Sequence, residues 1–110
     1  MNTSYSYYED LADEISGIQE NKVVSRLLVG GSKSKTTLYA LDAGQELVEH
    51  SVSFPVLLYV IEGSAEVTIG KDEKIAHART FIHLPAHLSF GVYARTRMLL
   101  IYILLEERPG

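Results

Sequence analysis

The chain has no cysteine, which excludes a disulfide framework, a zinc ribbon and a thiol nucleophile and fits a reducing compartment such as the cytoplasm. It also lacks a basic excess. Ten Lys and Arg against fourteen Asp and Glu leave a net charge of −4, the wrong sign for gripping a phosphate backbone, so no nucleic acid is expected as a partner. Long apolar runs are missing as well: the longest, MLLIYILL at 98 to 105, is far short of the roughly 20 residues of a membrane-spanning helix. The N-terminal MNTSYSYYEDLADEI is acidic, with neither a basic start nor an apolar centre, so it does not read as a signal peptide. There is no internal repeat, low-complexity tract or heptad pattern. The Gly30-Gly31 pair lies between strand-like segments with no helix after it, so it is not a phosphate loop, and no serine sits in a nucleophile elbow. A soluble cytoplasmic protein without a membrane segment is the expectation.

What is present is a β pattern. The 110 residues, 46% of them apolar and 22% charged, suit one globular domain that buries roughly two-thirds of its unfolded surface. Residues 5 to 18 place Leu11, Ile15 and Ile18 at spacings of four and three behind Ser6, which predicts a short amphipathic helix in an N-terminal segment spanning 1–22. From residue 23 onward, VVSRLLV, TTLYALD, LVEHSV, VLLYVIE, AEVTIG, ARTFIHLP, FGVYA and RMLLIYILL follow one another as short strands about ten residues apart, with KDEK as a loop and the end of EERPG as a tail over 107–110. That spacing predicts an all-β sandwich or barrel over 23–106.

Two glycine-spaced motifs give the barrel a family resemblance. In the stretch beginning at Gly44, the order Gly, five residues, His-x-His, three or four residues, Glu, six residues, Gly is matched at Gly44, His50 and Gly63, while Val52 stands at the second His and Val56 at the Glu. Further on, the order Gly, five residues, Pro-x-Gly, two residues, His is matched at Pro85, with Arg79 and His87 at the glycines and Phe90 at the His. Together they resemble the two motifs of the cupin superfamily, and the resemblance implies a small antiparallel, jelly-roll-like β-barrel with a short N-terminal helix. It also implies a degenerate metal site. A cupin metal is held by three imidazoles and a carboxylate, and only His50 of that set remains, where a divalent ion needs several N or O donors. No cofactor is therefore expected, with His50 and His87 as the two weak metal candidates.

If His50 points inward, as the resemblance implies, then Val52 does too, and alternation puts Val56, Leu58 and Val60 on the inner face of the next strand, with Phe90 and Val92 closing the other side. These seven residues define an expected site for a small apolar or aromatic ligand with one polar anchor; the alternative is that they pack as core. His83 alternates with Ile82 and Leu84 and should face away from the core, and His77 lies in a polar segment. His83 and His87 do not form a helical zinc pair, because Pro85 stands between them. Tyr39, Tyr59, Tyr93 and Tyr102 are the phenols available to partner His50; Tyr59 and Tyr93 fall on the outer side, and the facing of Tyr102 is not readable. Three functions stay open: metal-independent binding as a sensor or carrier, an isomerase- or oxygenase-like enzyme using His50 as base or as part of a weak metal site, and a structural partner subunit with a filled barrel. The outward apolar residues Leu57, Tyr59 and Ile61 call for a cover, and a homodimer is expected there.

Overall fold

The computed structural model describes residues 4–31 and 33–106; the expected tail over 107–110 lies outside the described residues. Nine strands alternate with short turns: β1 (Val23–Gly30), β2 (Ser34–Leu41), β3 (Glu46–His50), β4 (Val56–Glu62), β5 (Ser64–Ile69), β6 (Asp72–His77), β7 (Phe81–Leu84), β8 (Phe90–Ala94) and β9 (Met98–Leu105). They form two antiparallel sheets, one of five strands in the order β1-β2-β9-β4-β7 and one of four in the order β3-β8-β5-β6. The sheets face each other and enclose a core that includes Leu41, Val56, Leu58, Val67, Phe90 and Leu100. Burying each large side chain contributes about 1.5–3 kcal/mol, so this inner face fixes the strand registers: a slip of one residue would turn every one of them outward.

The backbone reproduces the glycine positions of the two motifs, even where glycine is gone. Gly44 and Gly63 have φ of +84° and +88°, and Arg79 and His87, which stand at the other two, have φ of +76° and +71°. Left-handed backbone is costly for residues with a Cβ. It is held here by hydrogen bonds: Arg79 N–H donates to the Val60 carbonyl at 2.8 Å and His87 N–H to the Val52 carbonyl at 2.7 Å. At Gly63 no other residue fits, since a Cβ would lie 2.2 Å from the Arg97 carbonyl oxygen.

Two expectations change on contact with the structure. The amphipathic helix is reduced to one 3-10 turn, Leu11–Glu14, capped by Asp10, whose carboxylate accepts from Ala12 N–H. Ile15, Tyr8, Leu11 and Ile18 are still buried or half-buried, but against the outer face of the five-stranded sheet, over Leu28, Leu38, Ala40, Leu99 and Ile101. An extended strap reaches more of that face than a helix of the same length would, because its rise per residue is about twice as great, and Gly17 at φ +98° turns it away. The second difference is β6, which takes in the DEK expected as loop. Its charged residues are exposed on an edge strand while Ala76 is buried against Ala65; charge on an edge is a defence against further strand pairing. Among the described residues no helix is long and apolar enough to cross a membrane.

Candidate functional site

His50 is brought to one end of the barrel by a bulge. Leu47 pairs with Val92 and His50 with Phe90, so β3 carries two residues between them where β8 carries one. The bulge leaves Val48 and Glu49 outside and returns His50 to the inner register, beside Phe90 at a ring-centroid separation of 4.7 Å. The imidazole is exposed, and its Nδ1 lies 2.7 Å from the Val48 carbonyl oxygen. A carbonyl only accepts, so Nδ1 carries a proton, and in the neutral form of the ring Nε2 is the acceptor. Val52 follows on the loop, half-buried against the inner core.

The other five residues of the expected lining do not line a hollow. Val56, Leu58, Val60, Phe90 and Val92 are at most 2% exposed and pack against one another with Leu84, Met98 and Leu100. Large branched and aromatic side chains fill a barrel of this size. The apolar interior is therefore the floor beneath the open end, a correction to the expected pocket.

Tyr102, whose facing alternation does not settle, faces inward, and so does Tyr39. Tyr39 shares the inner row of Ser25 and Leu100, and Tyr102 that of Leu27, Thr37 and Leu58. Their rings meet edge-on at 5.8 Å, and Tyr102 lies 6.1 Å from Phe90. Four rings thus run across the open end in the order His50, Phe90, Tyr102, Tyr39. Neither phenol has a hydrogen-bond partner among the described residues, and neither oxygen is sealed from solvent. Burial, and then the neighbouring Tyr39, push the Tyr102 phenol above its ordinary value, so it stays a donor. On the β1 side the inner face is open: Ser25 is exposed and Leu27 is 56% exposed.

A cupin-type metal does not fit here. Val52, Val56 and Phe90 put hydrocarbon where donors are needed, His87 is an exposed turn residue, and among the described residues no three His, Asp or Glu side chains converge on a point. His77 and His83 are exposed as well. A groove of about 390 Å³ does exist elsewhere, on the outer face of the four-stranded sheet, over Gly91 and beside Tyr93, Glu46 and Glu66. Two of its carboxylates are engaged: Ser89 Oγ donates to Glu49 at 2.9 Å and Arg95 lies 3.9 Å from Glu66.

No family model and no curated protein matches the sequence. Solved structures do. A conserved protein of unknown function from Streptococcus pyogenes is 25% identical over 99% of this chain and 95% of its own, with a TM-score of 0.85. A cupin superfamily protein from Desulfitobacterium hafniense superposes with a TM-score of 0.84 at 20% identity, over 97% of this chain and all of its own. KdgF from a Halomonas species does so at 0.81 and 16% identity, over 96% of each chain. Together with the two motifs, these likenesses identify a small single-domain cupin fold.

Proposed function

We propose that the open end of this barrel binds a small apolar or aromatic molecule without a metal, as a sensor or carrier module. The observation that carries the reading is the row of rings from His50 to Tyr39, which sets an exposed imidazole and two phenols without partners among the described residues above a packed apolar floor. Unpaired polar groups beside hydrocarbon suit a ligand that is mostly apolar with a few polar atoms. A screen of aromatic fragments followed by protein NMR tests it. Shifts at His50, Val52 and Tyr102 are expected; shifts confined to Tyr93 and Thr68 would move the site to the outer groove, and no response would favour a structural subunit with a filled barrel.

Proton transfer is the second reading, favoured by one observation: His50 and Tyr102 both touch Phe90, so a base and an acid stand at the same end of the barrel. Solvent deuterium entering an enolisable ketone in the presence of the protein, and not with His50→Leu, would establish it. Assembly as a homodimer is supported by the outer face of β4 and β7. There Tyr59 pairs with Phe81, and they are 37% and 60% exposed. Ile61 is already packed within the layer under the N-terminal strap, so the face left to a partner is narrower than the sequence suggests. Light scattering should give twice the monomer mass, and Tyr59→Lys should weaken association by placing a charge in a desolvated interface; a parent that stays monomeric at high concentration would refute the dimer.

A further inference from the structure

The polarity of the open end specifies what it would take. With Nδ1 donating to the Val48 carbonyl at 2.7 Å, His50 in its neutral form offers a lone pair at Nε2, which a ligand donor would meet. Tyr39 and Tyr102 have hydroxyls with no partner among the described residues, and the ligand atom between them is best an acceptor. Charge is absent from this wall: on the inward rows of β1, β2 and β9 the single charged side chain is Lys35, and Glu106 holds it at 3.2 Å. An ion brought here would lose water without gaining a counter-charge, a cost a neutral ligand avoids. Phe90, with its ring centroid 4.7 Å from that of His50 and 6.1 Å from that of Tyr102, stands between the donor-seeking and acceptor-seeking groups.

Resting on the reading that this end is a binding site at all, we propose that its ligand class is a neutral, planar aryl carbonyl compound with a hydroxyl or N–H group at the opposite end. The donor end meets His50 Nε2, and the carbonyl oxygen accepts from Tyr102 or Tyr39. The raised Tyr102 phenol helps, because it remains protonated into the alkaline range.

Four probes of nearly one shape test the claim by NMR titration of the folded protein: 4-hydroxyacetophenone, 4-methoxyacetophenone, which lacks the donor, 4-ethylphenol, which lacks the acceptor, and 4-hydroxybenzoate, which carries a charge. The hydroxy ketone should bind tightest, with shifts at His50 and Tyr102, and each of the others should be about three- to tenfold weaker, the worth of one hydrogen bond. His50→Leu should erase the preference for hydroxyl over methoxy, and Tyr102→Phe should reduce that for ketone over ethyl. Equal affinities at the open end would overturn the ligand class and leave the binding site standing, as would tightest binding of the carboxylate. No shifts at His50 or Tyr102 with any probe would overturn both.

Discussion

The two ends of the barrel are made from the same strands and are built in opposite ways. At the closed end, small residues let the sheets converge: Ala65 and Ala94 are fully buried, and Gly63 fits only because it has no side chain to meet the Arg97 carbonyl. Hydrogen bonds stitch that end together, with Asp42 accepting from Asn21 N–H at 2.7 Å, Ala43 N–H at 2.9 Å and Arg97 Nε at 3.1 Å. The open end has rings instead of alanines, and its imidazole Nε2 and phenols have no such partners among the described residues. If the open end binds as proposed, stability and recognition are divided between the two ends, and substitutions there should separate in the same way.

The largest effect belongs to the closed end. Gly63→Ala introduces a Cβ 2.2 Å from backbone oxygen at φ +88° and should lower unfolding free energy by about 3 kcal/mol or more, read as a shifted urea midpoint. Asp42→Asn comes next, with a pH signature. Backbone donation from Asn21, with Ala43 and Arg97, outweighs burial and holds the Asp42 carboxyl below its ordinary value. A depressed folded value means that the stabilisation is present above the unfolded carboxyl range and is lost as pH falls through the folded one. The parent's advantage over Asp42→Asn in urea midpoint should therefore be full at neutral pH and shrink in acid. Arg79→Gly and His87→Gly should each raise stability by about 0.5–1 kcal/mol by relieving left-handed backbone; a loss at either would mean that its side chain contributes more than the strain it imposes. Smallest of all, His50→Leu should change stability by less than about 0.5 kcal/mol, the usual range for an exposed position, while removing the open-end response to aromatic ligands.

The closed end was also the more legible in sequence. Gly44 and Gly63 announce turns, because glycine spacing is a local signal, and VLLYVIE and FGVYA, which run between the two ends, read as strands whose inward faces follow from the family resemblance. The open end depends on pairing. MLLIYILL is apolar throughout, so only its register against β2 and β4 reveals that Tyr102 faces inward, and the bulge that exposes Val48 and restores His50 leaves no mark in the sequence around it. The N-terminal spacing of Leu11, Ile15 and Ile18 correctly marked apolar contacts and misled about their shape, because a strap lying on a sheet and a helix can bury the same residues.

Hydrocarbon at Val52, Val56 and Phe90 stands where a cupin-type metal would need donors, and the binding proposed for the open end requires no metal. Elemental analysis of the protein purified without an affinity tag tests this most directly. The account predicts manganese, iron, nickel and zinc far below one per chain; close to one equivalent of any of them would contradict it.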